Sequence, residues 1–119
     1  FGRGAMDVLP EVVEAVAGRA SVVVDGSFLR GTDVVKAMAL GADAVGIGRL
    51  YGYGMAAAGA AGVERVLELL EIEIRTALGL LGLRGFAELE PAHVCAAPPV
   101  YPPSALSAFP FLDLEPVRY

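Results

Sequence analysis

Apolar positions along this chain follow three rhythms. Ser21-Val22-Val23-Val24 and Ala44-Val45-Gly46-Ile47 are short continuous runs bounded by turn formers, too short for helices, and the first is rich in β-branched residues. That pattern predicts strands buried on both faces. Between them, from Gly31, the spacing becomes helical: Val34 or Val35, Met38 and Ala39 can share a face, Thr32 or Asp33 is the expected cap, and Gly41 is the expected stop. Strand, helix and parallel strand together make the unit from which α/β folds are built. A third rhythm runs over 63–81, where Val63, Val66, Leu67, Leu70, Ile74, Ala77, Leu78 and Leu81 form an apolar stripe at helical spacing. Its glutamates read as a solvated face, with Glu71 and Arg75 in the favourable i,i+4 order and Glu64 and Glu68 repelling.

The weaker segments fill in around these. Gly and Ala dominate 51–62, which suits close helix packing better than a flexible loop. Leu83 to Leu89 is expected to form a short helix between glycine breaks. Seven of the eight prolines lie at or beyond Pro91, interspersed with Val100, Tyr101, Leu106, Phe109, Phe111, Leu112 and Leu114. Helix and central strand are both disfavoured there, and the aromatics argue against plain disorder. The chain therefore divides into a folded part, 1–91, and an extended Pro-rich arm, 92–119, that packs over the folded part or onto a neighbouring subunit.

The candidate chemistry lies where the two strands stop. The first ends at Asp25-Gly26-Ser27 and the second at Gly48-Arg49. Glycine lets backbone approach a ligand without a Cβ clash, and amides at successive turn positions form an anion-binding concavity. Arg49 adds a fork of donors matched to two phosphate oxygens. In barrels of alternating strands and helices, phosphate commonly sits after the seventh and eighth strands. Asp25, Gly26, Ser27, Gly48 and Arg49 are the expected binding residues.

The run DGSFLRGTDVVKAMALGADAVGIGR, continued by LYGYGMAAAGAAGVERVLELLEIEIRTALGLLGLRGFAELEP, resembles the C-terminal part of the FMN-dependent 2-hydroxy-acid oxidoreductases, the family of glycolate oxidase, lactate oxidase and mandelate dehydrogenase. The similarity covers roughly Gly2 to Pro91. It implies the C-terminal part of a (β/α)8 TIM barrel, with 21–25 as the seventh strand, 44–47 as the eighth and the FMN phosphate between their turns. The family pattern Asp-Gly-Gly-x-Arg-Arg-Gly-Thr-Asp falls on Asp25 through Asp33. Ser27 stands where the pattern has its second glycine, and Leu29 replaces the first arginine; Arg30 and Arg49 are retained. The resemblance also implies a proton-abstracting histidine in an Asn-His-Gly-Gly-Arg motif upstream of Phe1, with Gly2 to Asp7 as the linker that follows it. A helix is then expected from Pro10 to Gly18. No catalytic residue is expected in this chain, since its one histidine, His93, lies in the arm and lacks a partner to orient it.

Length changes the picture. The chain has 119 residues, whereas a complete barrel of this kind needs about 250. The N-terminal portion of the same barrel is therefore expected as a companion chain, and the resemblance implies a small 2-hydroxy acid as substrate and further copies of the assembled enzyme in a tetramer. The assembled enzyme is expected to oxidise a 2-hydroxy acid to a 2-oxo acid, with the electron acceptor left open, and the isolated chain to be inactive. Two other readings stand beside this one: a non-catalytic structural subunit whose phosphate site has decayed, and another phosphate-binding barrel enzyme of the inosinate-dehydrogenase kind. A net charge of −5 without a basic cluster argues against nucleic acid. No apolar span of about 18 residues predicts a transmembrane helix, and no signal peptide is read at the start. A single cysteine, Cys95, excludes an internal disulfide and a cysteine-based metal cluster, and fits the cytoplasm.

Overall fold

Two short parallel strands organise the molecule, Val23–Asp25 (β1) and Ala44–Gly46 (β2), paired as Val23 with Ala44, Val24 with Val45 and Asp25 with Gly46. The structure is a computed structural model, and it describes residues 3–97; all but the first residues of the expected arm, 92–119, lie outside the described residues. β2 ends one residue short of the expected 44–47, and β1 starts two residues later than the expected Ser21 and ends one later than Val24. Asp43 sets where β1 starts: its carboxylate accepts the Val22 N–H at 2.7 Å, and its own N–H donates to the Val22 carbonyl at 2.8 Å. The Val22 amide is thereby taken by a side chain, so strand pairing begins at Val23.

Five further elements surround this pair, three helices and two 3-10 turns. The helix before β1 is Ala5–Val16 (α1), which starts five residues earlier than expected. The Gly4 N–H donates to the Asp7 carboxylate at 3.2 Å, closing the first turn, and an acidic residue there also suits the helix dipole. Pro10 consequently sits inside the helix, where it removes the one i to i−4 bond that would reach Met6. Between the strands runs Gly31–Ala39 (α2). Its cap is Arg30 and not Thr32 or Asp33; Asp33 acts from inside the first turn, accepting the N–H groups of Arg30 at 3.1 Å and Leu29 at 3.2 Å. Val34, Val35, Ala37 and Ala39 are all buried, because one side of α2 faces the strands and another faces the last long helix.

That helix, Gly48–Leu80 (α3), begins fifteen residues before the expected Val63. It is broken at Ala58 and Gly59, whose backbone is non-helical, giving segments 48–57 and 60–80. Alanine is the best helix former, and its density here carries the helix through the glycines. The expected close packing is present between the two segments: a Cβ on Gly54 would lie 2.7 Å from the Gly62 carbonyl oxygen. Of the apolar stripe, Leu70 and Leu78 are buried, whereas Leu67 and Leu81 are exposed. Glu71 and Arg75 pair at 2.7 Å, as their spacing predicts, and Glu68 bonds Arg65. The expected short helix at 83–89 is a single 3-10 turn, Phe86–Glu88, followed by another at Pro91–His93.

The buried cluster is Leu9, Val24, Phe28, Ala37 and Ala42, joining α1, β1 and α2. Both outer edges of the two-stranded sheet are unpaired. Val23, expected to be buried on a two-sided strand, is 65% exposed, because the face of β1 opposite the buried Val24 is uncovered. Among the described residues no helix is long and apolar enough to cross a membrane, and no three side chains are grouped to hold a metal ion.

Candidate functional site

Parallel strands end on the same side of a sheet, so pairing Asp25 with Gly46 brings the two following turns together. They enclose one cavity of about 380 Å³, and all five expected residues, Asp25, Gly26, Ser27, Gly48 and Arg49, line it. Gly46 allows the strand ends to close: a Cβ there would lie 2.9 Å from the Asp25 carboxyl carbon. Gly26 has φ 146°, which L side chains rarely adopt, so the turn leaves β1 by a route that needs glycine.

Two lining residues, Phe28 and Ile47, escaped the sequence reading. Phe28 is 3% exposed and closes the floor from the core side. Ile47 caps α3, and its carbonyl accepts the Tyr51 N–H at 3.2 Å, the first bond of that helix. The consequence is chemical. Gly48 and Arg49 are the first two residues of a helix, so their amides have no intrahelical acceptor and sit at the positive end of its dipole. Sequence reasoning saw a glycine turn here and missed the helix terminus, because the signal, an unbroken Gly/Ala-rich continuation, has no apolar period.

Arginine placement separates two residues that looked alike in sequence. The Arg49 guanidinium donates to the Ser27 hydroxyl, linking the two turns, and none of the ion pairs among the described residues involves it. Arg30 is held elsewhere. Its guanidinium pairs with Glu73 of α3 at 2.9 Å, and the same carboxylate accepts the Gly31 N–H at 2.6 Å. Partial burial pushes the Glu73 carboxyl up, but hydrogen bonds from Arg30 and Gly31 and the Arg30 charge outweigh it and leave the group below its ordinary value. Arg30 is raised by the same bond. Leu29 is half-buried and does not line the cavity.

Three other side chains with polar or reactive groups lie outside the cavity. Tyr51 is 50% exposed and is not in the lining. The His93 ring accepts the Glu90 N–H at 3.0 Å, a local turn contact. Cys95 is a free, exposed thiol.

Comparison with known proteins gives a consistent result. Residues 1–96 match the FMN-dependent dehydrogenase family. The peroxisomal (S)-2-hydroxy-acid oxidase of Oryza sativa subsp. japonica is 51% identical over 86 residues, covering 72% of this chain and 24% of that protein. An L-lactate oxidase of a Nostoc species is 46% identical over 85 residues, 71% of this chain and 23% of the relative. A solved structure of a mandelate oxidase mutant with a monooxide FMN adduct superposes with a TM-score of 0.70 at 45% identity, over 72% of this chain and 27% of that one. The chain thus spans about a quarter of the length of the relatives it matches.

Proposed function

The chain belongs to the FMN-dependent dehydrogenase family, and from that premise we propose that it is the phosphate-binding quarter of an enzyme that oxidises a 2-hydroxy acid to a 2-oxo acid with FMN. The observation that carries this reading is the convergence of both strand-end turns and the α3 terminus on one cavity. We read β1 and β2 as the seventh and eighth strands of a (β/α)8 barrel. The segment 48–57, ended by the break at Ala58 and Gly59, then corresponds to the short extra helix whose N-terminus completes many barrel phosphate sites.

The residues present fit the cofactor. The Gly48 and Arg49 amides and the Arg49 guanidinium are donors without a carboxylate partner among the described residues, suited to a phosphate. Asp25 is an acceptor-only carboxylate and suits the hydroxyl-bearing chain of the cofactor, away from its phosphate. FMN, when bound, supplies the redox chemistry. This chain's residues bind and orient it: the donors fix one end, and Phe28 and Ile47 wall the cavity on its apolar side.

The substrate's α-proton is taken by a residue outside this chain, and the remainder of the barrel is the partner we propose. Both unpaired sheet edges support that. Beside β1, a groove lined by Val8, Leu9 and Val12 lies open. Beside β2, a larger groove of about 550 Å³ is lined by Leu67, Leu70, Ile74 and Leu78, with Leu67 exposed. Apolar surface of this kind on a chain with two open strand edges is interface waiting for its cover.

The test is a spectrum and a turnover assay. The assembled enzyme is expected to show flavin absorption that bleaches anaerobically on adding a 2-hydroxy acid. The chain alone is expected to give neither a cooperative melt nor turnover. A colourless assembled enzyme, or an active isolated chain, would overturn the proposal.

A further inference from the structure

Ser27 and Ala17 are the non-glycine residues with positive φ among the described residues, and Ser27 holds φ 59° at the wall of the cavity. A left-handed conformation is costly for any residue with a Cβ, and such strain persists only where its surroundings hold it. At this position the Ser27 hydroxyl accepts a hydrogen bond from the Arg49 guanidinium across the two turns.

The chemistry of that bond has a direction. A guanidinium only donates, whereas a hydroxyl has one proton to give and two lone pairs to receive. With Arg49 donating, Ser27 uses a lone pair and keeps its proton for another acceptor. Accepting from a cation also polarises the O–H and makes it a better donor. The hydroxyl lies in the lining of the same cavity as the Gly48 and Arg49 amides, so the acceptor it suits is an anion held there.

We propose that Ser27 is a specificity-determining residue of this site. It fixes Arg49 at the cavity and donates its own hydroxyl proton to the phosphate, so that a side-chain contact helps the site distinguish a phosphorylated flavin from one without phosphate. The inference rests on the reading of the cavity as the FMN phosphate site.

The experiment uses the assembled enzyme stripped of flavin and titrated separately with FMN and with riboflavin, which differ in the phosphate. The readout is the ratio of the two affinities, followed by flavin fluorescence. In Ser27→Ala the ratio is expected to fall about tenfold or more, the range for a hydrogen bond to a charged group, while riboflavin binds as before. Ser27→Gly, which suits φ 59° better than serine does, is expected to lose the ratio equally. If Ser27→Ala weakens both ligands alike, Ser27→Gly decides: a lowered ratio supports the role, and a wild-type ratio overturns it. A wild-type ratio in both variants overturns the role of Ser27 and leaves the phosphate site standing. A wild-type enzyme that binds riboflavin as tightly as FMN overturns the site itself.

Discussion

Two helices in this chain start beside an arginine, and they are completed differently. At the start of α2 the Glu73 carboxylate, from far along the chain, reaches both the Gly31 amide and the Arg30 guanidinium. At the start of α3 the amides of Gly48 and Arg49 face a cavity, and the Arg49 guanidinium meets a neutral hydroxyl. The first terminus has its anion built in. The second has the same donors without one among the described residues. The difference teaches how a single local motif, a strand end followed by a helix start that carries an arginine, serves as a structural joint in one place and as a binding site in another. What decides is whether a carboxylate bonds the donors: Glu73 does so at α2, whereas Asp25 lines the α3 cavity without bonding Gly48 or Arg49.

Removing the arginine at the open terminus is expected to have the largest effect. Arg49→Ala in the assembled enzyme should weaken FMN by roughly 2–5 kcal/mol, the range for truncating one partner of a charged contact, with the melting temperature of the apoenzyme unchanged. Flavin retained after dialysis as in wild type would put Arg49 outside the site and erase the contrast.

At the closed terminus the expected loss is in stability. A Cβ at Gly31 would meet the Glu73 Cβ at 2.5 Å and the Ile74 backbone nitrogen at 2.6 Å. Gly31→Ala should therefore force α2 and α3 apart and cost about 1–3 kcal/mol, as overpacking does, read by denaturant unfolding. An unaltered midpoint would mean that the joint tolerates movement.

The smallest effect sharpens the comparison by pH. Glu73→Gln should cost about 1 kcal/mol at neutral pH, a charged hydrogen bond discounted for the half-exposed Arg30. The Glu73 carboxyl lies below its ordinary value in the folded protein, so its contribution is complete above the unfolded value, about 4.3, and is lost as pH falls through the lower folded value. The stability gap between wild type and variant should close as the solution is acidified below about pH 4. A gap independent of pH would show that the ionised carboxylate is not what joins the helices.

How far the sequence could be read follows the range of the interactions. The two strands, Val23–Asp25 and Ala44–Gly46, were legible to within two residues because β-branched or small apolar runs, ended by glycine, are local signals. The five cavity residues were legible for the same reason, being the residues at those two ends. The start of α1 was not, because Pro10 is a louder helix-start signal than a glycine followed three residues later by Asp7. The early start of α3 hid in a glycine-rich stretch without apolar periodicity. The partner of Arg30 was not legible, since the carboxylate that claims it lies 43 residues away in the chain. Nothing in the pattern around Arg30 announces Glu73.

The backbone contact between Gly54 and Gly62 also bears on the cavity, although neither residue lines it. With α3 interrupted at Ala58 and Gly59, the bearing of segment 48–57 is not inherited from the long segment behind it. It is set by where two bare backbones rest on each other, as a gun barrel rests on its trunnion. The residues that grip a ligand at the muzzle and the residues that aim the barrel are therefore different sets. Glycines that touch no ligand govern where the amides of Gly48 and Arg49 point.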